Sequence, residues 1–309
     1  MSSNVALVYL TLSINVSNIY LTLSINISNI SVRFAEPDRS VNDNGLQIFG
    51  EIDKTPVVPG ADLVAYSGLS ANNYLMQPYN SDLDFGTGDF SIMAWIKDFA
   101  INGDYQRIFS RGIDGNTGVE WDLYFHATTS PHFKFRYYIN GSSMGDTSFT
   151  EISSMSTDSW NQIVFSRKDD IVQMYINGSK VYSNPFQFGP TNLTNTNARL
   201  YVGNRFTPSD SSAFNGSIAL ARISATAPTD DQIAKIYRDE KPLFQDGAQS
   251  TLYGTSDAVT ALAYDDSDDL LHVGTASGRS VFNGLKRADN TTTAVTTAIS
   301  ATEGLVIEQ

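Results

Sequence analysis

The sequence contains no cysteine among its 309 residues. Disulfide scaffolds, thiolate zinc sites and cysteine nucleophiles are therefore excluded, and stability must come from packing or assembly. Histidine is almost as scarce. The three present, His126, His132 and His272, match no His-x-x-x-His or similar metal spacing. We expect surface or packed histidines, not a zinc ligand or a catalytic histidine.

Basic residues are also in short supply, with 20 Lys and Arg against 33 Asp and Glu and a net charge of −13. Such a surface repels phosphate backbones, so we expect no nucleic-acid partner. No run of 18 apolar residues is present, and we expect no membrane insertion. The N-terminus lacks the pattern of a secretory signal peptide.

Phosphate-binding and nucleophile motifs are missing too. Gly86-Thr87-Gly88 lacks the third glycine of a dinucleotide loop, and "DFSIMAWI" after it alternates as a strand does. We therefore interpret the glycines as a turn between strands. No Gly-x-Ser-x-Gly elbow occurs, so serine hydrolase chemistry has no support.

The residues that are abundant favour an all-β fold. Apolar residues make up 41% of the chain, with 15 Tyr and 17 Phe, and Asn-Gly, Asp-Gly or Gly-rich turns separate many short alternating runs. Between Tyr66 and about Ser224 these runs recur every ten or so residues, which predicts a β-sandwich or jelly roll. Asn177-Gly178 in "MYINGSKVYS" predicts a tight hairpin.

Composition divides the chain into five segments. They are a β-strand tandem repeat (1–34), a linker with short strands (35–65), the jelly roll (66–228), a helix with its connector (229–245) and a β-rich tail (246–309). The repeat, "VYLTLSINVSN" then "IYLTLSINISN", is either a meander docked on the same molecule or an oligomerisation arm. Thr229 is the predicted helix cap, and Pro242 ends the helix.

An ordered series of segments resembles the laminin-G/pentraxin-like branch of the concanavalin A-like lectin/glucanase superfamily. The segments are "NNYLMQPYNSDLDFGTGDFSIMAWIK", "RIFSRG", "VEWDLYF", "DSWNQIVFSRKDDIVQMYINGSKVYS" and "LYVGNRF…FNGSIALARISATAPTDDQI". Together they cover roughly residues 66 to 238. The resemblance implies a two-sheet concanavalin A-like jelly roll.

The tail, residues 246–309, resembles one blade of a β-propeller, through "DAVTALAYDDSDDLLHVGTASGRSVFNGLKR". The sequences of this tail and of the segment "ARISATAPTDDQIAKIYRDEKPLF" resemble those of structural proteins of tailed bacteriophages. This resemblance implies a non-enzymatic virion protein, exposed on the phage particle as a capsid decoration, fibre or tail component. Its expected partners are major capsid or tail proteins, further copies of itself (a homo-oligomer such as a trimer) and cell-surface glycans. The alternative is a free-standing lectin, with or without Ca²⁺.

A divergent glycan hydrolase is the enzymatic alternative. The glucanase branch carries Glu-x-Asp-x-Glu on one strand, where alternate residues share a face. This chain has Glu120 and Asp122, but Tyr124 stands at the third position. The second carboxyl that retaining hydrolysis needs is therefore missing. Glu120 and Asp122 are left as the alternative, an inverting pair, since positions i and i+2 of a strand lie about 7 Å apart. We expect no enzymatic activity.

Glycan binding would use exposed rings that stack on a sugar face. The candidates are Trp121, Tyr124, Tyr138, Phe206 and Phe214, whereas Trp95 and Trp160 are interpreted as core residues. No cofactor is required. The resemblance nevertheless implies that Ca²⁺ could bind at the rim of the sandwich, and the candidate ligands are Asp114, Asn116 and Asp210.

Overall fold

A computed structural model describes most of the chain. The described residues are 35–36, 44–99, 105–113, 118–126, 132–140, 142–151, 155–185, 191–256 and 258–309. The predicted N-terminal repeat, residues 1–34, lies outside them.

The described part is built almost entirely from antiparallel strands and holds one α-helix. The first strands are β1 (Ala35–Glu36), β2 (Leu46–Phe49), β3 (Asp53–Pro56), β4 (Val64–Ser67), β5 (Tyr74–Gln77), β6 (Phe90–Lys97), β7 (Tyr105–Gly112), β8 (Val119–His126), β9 (His132–Ile139) and β10 (Ser142–Glu151). The next are β11 (Asn161–Lys168), β12 (Ile171–Ile176), β13 (Ser179–Pro185), β14 (Arg199–Val202) and β15 (Ser217–Ser224). After the helix α1 (Asp230–Glu240) follow β16 (Val259–Asp265), β17 (Leu270–Thr275), β18 (Gly278–Asn283), β19 (Lys286–Thr291), β20 (Ile299–Thr302) and β21 (Leu305–Glu308).

Two large sheets form the predicted jelly roll. The eight-stranded sheet has the order β1-β2-β5-β14-β7-β8-β9-β10, and the seven-stranded sheet has the order β13-β12-β11-β6-β15-β4-β3. Their facing sides meet in one apolar core, where Phe135 of the first sheet stacks on Phe165 of the second at 4.3 Å between ring centroids. The prediction of a two-sheet sandwich is confirmed.

Residues 46–65, predicted as part of a linker, contribute strands to both sheets. β2 joins the eight-stranded sheet beside β5. In the seven-stranded sheet β4 lies beside β15, and β3 forms the edge. All four residues of β3 are exposed. Short strands were predicted within this segment, and β2 is one of them. An edge strand with little buried surface shows no alternation in its sequence, which explains why β3 looked like a connector.

The turns predicted from glycine and asparagine are present. Asn177 and Gly178 both adopt positive φ, 51° and 76°, and close the hairpin between β12 and β13. At Gly86-Thr87-Gly88 the buried Arg167 donates hydrogen bonds to the carbonyl oxygens of Gly86 (2.8 Å) and Gly88 (2.9 Å). The side chain of Arg167 thus binds the turn at residues 86–88, whose glycines were compared with a dinucleotide-binding loop.

Helix α1 begins as predicted. Thr229 caps it through a reciprocal pair of hydrogen bonds with Gln232, and Asp230 and Asp231 lie in its first turn, where acidic groups favour the helix dipole. The apolar side of the helix packs through the fully buried Ile233 onto the outer face of the seven-stranded sheet. The helix therefore covers part of that outer face.

The C-terminal segment forms its own small sheet, β16-β17-β18-β19, a four-stranded antiparallel meander. The hairpin β20–β21 lies on one side of it, since Asp265 accepts a hydrogen bond from the backbone of Gly304 (2.7 Å). In the part of the chain that the structure describes, no helix is long and apolar enough to cross a membrane.

Candidate functional site

Strand β8 separates the candidate residues onto two faces. Trp121, Leu123 and Phe125 point into the core between the sheets. Glu120, Asp122 and Tyr124 alternate with them and therefore lie on the outer face of the eight-stranded sheet. All three are buried as well.

Four of the five predicted sugar-binding rings are buried, so the expectation that they are exposed is wrong. Trp121, Tyr124 and Phe214 have no exposed surface and Phe206 has 2%. Trp121 and Phe214 belong to the core. Tyr138 alone is partly exposed, and its role in glycan binding stays a prediction.

Phe206 is buried because the segment of residues 206–212 lies over the outer face of the eight-stranded sheet. The backbone N–H of Phe206 donates to Ser110 Oγ (3.2 Å), and Arg107 donates to the hydroxyl of Ser212 (3.1 Å). Phe206 packs there against Met76 and Tyr201. Both faces of these strands are covered, which alternation in the sequence does not reveal.

Asp122 is held by two neighbours on this face. Its Oδ1 accepts a hydrogen bond from Ser110 Oγ at 2.6 Å, and its Oδ2 lies 3.6 Å from Arg107 Nε. Arg107 also lies over the rings of Tyr105 and Tyr124. These contacts describe a structural polar cluster, in which Asp122 is already paired.

Glu120 differs from Asp122 in its electrostatics. Burial raises the pKa of Glu120 to about 7, because the attraction of Arg205 offsets the cost of desolvation only in part, and the neighbouring Asp122 raises it further. Glu120 and Asp122 share a face, as predicted, yet the third position of the glucanase motif is a buried tyrosine.

Of the three predicted calcium ligands, the structure describes only Asp210. Asp114 and Asn116 lie outside the described residues. Asp210 accepts a hydrogen bond from the backbone of Ala71 (2.8 Å), which links two loops at the rim. Among the residues described, no group of three or more His, Asp or Glu could hold a metal ion. Calcium binding stays a prediction.

Two of the three histidines are neighbours, and the third lies in another sheet. His126 and His132 are cross-strand neighbours whose rings meet edge to face at 5.3 Å. His272 lies buried in the C-terminal sheet. The sequence suggested packed or surface histidines, and these positions are of that kind.

A cleft of about 440 Å³ opens beside the exposed edge of the seven-stranded sheet. We call it the Trp160 cleft. Trp160 was interpreted as a core residue, but it is only partly buried and lines the cleft. Its Nε1 donates to the carbonyl oxygen of Val57 (2.8 Å), and its ring packs 5.0 Å from that of Phe244. These two contacts fix the orientation of the indole.

Charged and hydroxyl groups lie in the same cleft. Lys97, the last residue of β6, forms an ion pair of 3.5 Å with Asp98, whose side chain is 54% exposed. Asp98 has φ +56°, and its N–H donates to the carbonyl of Thr157 (2.7 Å). Thr55 and Ser217 add hydroxyl groups to the lining.

Chemically, the Trp160 cleft can bind a ligand with an apolar face and several hydroxyl groups. The indole supplies a flat surface, the carboxylate accepts hydrogen bonds, and the ammonium donates them. Trp160 precedes β11 directly, so no alternation places its side chain. Its position directly after the turn at residues 157–159 was the one sequence feature that could have indicated an exposed ring.

Comparisons with known proteins agree with this fold. Residues 69–234 match the family model Laminin_G_3, of the concanavalin A-like lectin/glucanases superfamily. No curated protein matches the sequence significantly.

Several solved structures share the fold at low sequence identity. The binding domain of Paraclostridial Mosquitocidal Protein 1 is similar with a TM-score of 0.50 and 16% identity, over 80% of this chain and 62% of that chain. The receptor binding domain of botulinum neurotoxin C/D mosaic serotype gives a TM-score of 0.51 and 14% identity, over 82% and 59%. The binding domain of Botulinum Neurotoxin DC, in complex with SialylT, gives 0.51 and 15%, over 85% and 61%.

The aligned part of this chain thus spans less than two thirds of each of those structures, and the identities are low enough that they show the fold alone. The family model, in contrast, matches more than half of the 309 residues. The chain therefore belongs to the concanavalin A-like lectin/glucanases superfamily.

Proposed function

We propose that this protein is a non-enzymatic glycan-binding protein and that its jelly roll binds saccharides in the Trp160 cleft. The observation that carries the proposal is the combination found there. A partly exposed indole, held by a hydrogen bond and a ring contact, lies in one open cleft with Lys97 and Asp98. Saccharide sites pair an aromatic platform with a few fixed polar groups in this way.

Asp98 and Lys97 are suited to adjacent sugar hydroxyls. The carboxylate accepts two hydrogen bonds and the ammonium donates, while the pair has no net charge. The cleft is therefore better matched to an uncharged or zwitterionic saccharide than to a strongly anionic one. The description of the similar toxin structures as binding domains, one of them in complex with SialylT, supports a binding role.

The experiment combines a glycan array with tryptophan fluorescence. Of the three tryptophans, Trp95 and Trp121 are buried, so a ligand in the cleft changes the emission of Trp160. We expect Asp98→Asn to weaken binding about tenfold to a hundredfold, because it removes a charged hydrogen-bond acceptor. Asparagine tolerates the left-handed backbone of position 98, so the variant should fold.

Asp158→Asn is the matched control. It makes the same change of charge on an exposed residue close to Trp160 but outside the lining. Equal affinities of Asp98→Asn, Trp160→Phe and wild type for the array hits would refute the assignment of the cleft. Repeating the titration with EDTA tests the predicted calcium dependence: loss of binding on chelation supports it.

We further propose that the protein is a surface-exposed component of a tailed-bacteriophage virion, in which the lectin-like jelly roll serves adhesion. The support is the resemblance of "ARISATAPTDDQIAKIYRDEKPLF" and of the tail to phage structural proteins. Capsid or tail proteins and further copies of this chain are the partners this role requires. Immunogold labelling of phage particles with an antibody against the jelly roll tests the location, and unlabelled particles would favour the free-standing lectin instead.

A further inference from the structure

A second cleft, of about 330 Å³, lies on the other sheet of the sandwich. It is formed where β2 pairs with β5 and where the chain leaves β5 through Pro78, Tyr79 and Asn80. We call it the Tyr79 cleft. Because β2 and β5 belong to the eight-stranded sheet, this cleft is separate from the Trp160 cleft, which the seven-stranded sheet and its neighbouring loops form.

Tyr79 presents an unusually exposed ring. It is 42% exposed, and within the described part of the jelly roll only Ile139 and Ile171 share such exposure among large apolar side chains. The ring is nonetheless fixed, because its hydroxyl donates to Asp84 Oδ2 at 2.9 Å. This hydrogen bond raises the pKa of the Tyr79 hydroxyl.

Asp84 is itself anchored from below. Its Oδ1 lies 2.7 Å from Nη2 of Arg111, a residue with no exposed surface. The same oxygen accepts a second hydrogen bond, from the backbone N–H of Asn195 (2.8 Å). Burial opposes the ionised form of Asp84, but these hydrogen bonds outweigh it and lower its pKa. A buried cation thus orients the exposed ring, which therefore loses little further freedom when a ligand stacks on it.

Carboxamides supply most of the polar lining. They belong to Asn44, Gln47, Gln77 and Asn80. Three of them are oriented by the fold. Gln77 donates to the carbonyl of Asn44 (2.5 Å), Asn80 accepts from the N–H of Asp82 (2.9 Å), and Asn44 donates to the carboxylate of Asp82 (3.3 Å). A carboxamide both donates and accepts hydrogen bonds, as a sugar hydroxyl does. The lining residues carry no cationic side chain that would compensate an anionic ligand. The adjacent carboxylates of Asp82 and Asp84 already accept hydrogen bonds from Asn44 and Tyr79.

We propose that the Tyr79 cleft is a second saccharide-binding site, selective for uncharged sugar units, and that the jelly roll binds glycans at two places, one on each sheet. This inference rests on the proposed glycan-binding function. It predicts that the preferred target presents many sugar units, as a polysaccharide or a dense glycan surface does. Two linked contacts then raise the overall affinity above that of either cleft.

The two clefts can be distinguished in one titration series with neutral trisaccharides of glucose, xylose, arabinose and galactose. Calorimetry counts all bound ligand, whereas tryptophan fluorescence reports the Trp160 cleft, since no tryptophan lines the Tyr79 cleft. We expect two ligands per chain by calorimetry, of which one changes the fluorescence. Raising the salt concentration should leave the fluorescence-silent event unchanged, because no ionic contact is involved.

Tyr79→Ala is expected to weaken the fluorescence-silent event at least about tenfold, through loss of the stacking ring. Gln47→Ala is the second variant and leaves the Asp84–Arg111 pair untouched. Tyr264→Ala is the matched control, because it also removes an exposed tyrosine whose hydroxyl bonds an aspartate, Asp269.

A single binding event that always changes the fluorescence would overturn the second site and leave the proposed function intact. So would silent binding that neither Tyr79→Ala nor Gln47→Ala weakens. A silent event that Tyr79→Ala abolishes, without any fluorescent one, would support the Tyr79 cleft and remove the Trp160 cleft. Absence of binding to any glycan on the array would contradict both.

Discussion

At the scale of single residues, buried charged groups organise the sandwich. Arg111 and Arg167 have no exposed surface. Arg111 donates to the carboxylate of Asp84 and Arg167 to loop carbonyls, so each buried guanidinium has hydrogen-bond acceptors. The negative charge of Glu120 is only partly offset by its neighbours. Its pKa of about 7 means that the folded state favours its protonated form.

This difference makes stability depend on pH. The pKa of Glu120 rises from 4.5 to about 7 on folding, so the folded state binds more protons between these values. The favourable contribution is complete below about pH 4.5 and is lost as pH rises through 7. We expect Glu120→Gln to be more stable than wild type at pH 8, by up to about 3 kcal/mol, and similar to it at pH 4.5.

Urea unfolding of both proteins at the two pH values measures this effect. Glu51→Gln, a change of the same kind at an exposed position, serves as the control. An equal difference between wild type and Glu120→Gln at both pH values would show that Glu120 does not titrate in this range.

At the scale of elements, helix α1 contacts the sandwich through its last residue, Glu240. Glu240 is 2% exposed and accepts a hydrogen bond from Trp95 Nε1 at 2.6 Å, and it also pairs with Arg222 of β15. Trp95 stacks on Tyr237 of the helix and on Phe244 beyond it. One carboxylate therefore joins β6, β15 and α1.

We expect Glu240→Ala to lower the free energy of unfolding by about 2–4 kcal/mol. It leaves the buried indole N–H of Trp95 without its acceptor and Arg222 without its partner. Asp239→Ala, next to it on the same helix, removes only an exposed i,i+4 pair with Lys235 and should cost less than about 0.5 kcal/mol. Chemical denaturation compares the two, and equal costs would contradict this account of the helix contact.

At the scale of the whole molecule, apolar exposure is concentrated in the C-terminal segment. Seven of the ten large hydrophobic side chains found exposed among the described residues lie in it: Val259, Leu262, Tyr264, Leu271, Leu285, Leu305 and Ile307. Patches of this kind mark sites of association.

The register places four of these side chains, Tyr264, Leu271, Leu305 and Ile307, on two opposite sides. Tyr264 pairs with Leu271 on one face of the four-stranded sheet. The other face carries Asp265, which bonds the hairpin at Gly304. Leu305 and Ile307 point away from that sheet, since their neighbour Glu308 reaches inward to Arg279 (3.7 Å).

For the proposed homo-oligomer, we therefore expect the segment to take part in contacts between copies. Replacing Leu305 and Ile307 together by serine should lower the mass of the full chain measured by light scattering, because it removes exposed apolar area from the contact. Ile171→Ser, at a 39% exposed position of the jelly roll, should leave the mass unchanged. A wild-type monomer at all concentrations would exclude the homo-oligomer.

The amino-acid sequence by itself determined the local structure. Alternation predicted most strands of the jelly roll, Asn177-Gly178 the hairpin and Thr229 the helix cap, because each depends on neighbours in the chain. The jelly roll itself was predicted from the order of the motifs, through their resemblance to a known family. Only the tertiary structure decided which rings are accessible. Alternation assigns Trp121 and Tyr124 to opposite faces, but whether a distant segment covers a face depends on long-range packing. The same packing leaves Trp160 and Tyr79, neither of them within a strand, at the surface as the candidate binding rings.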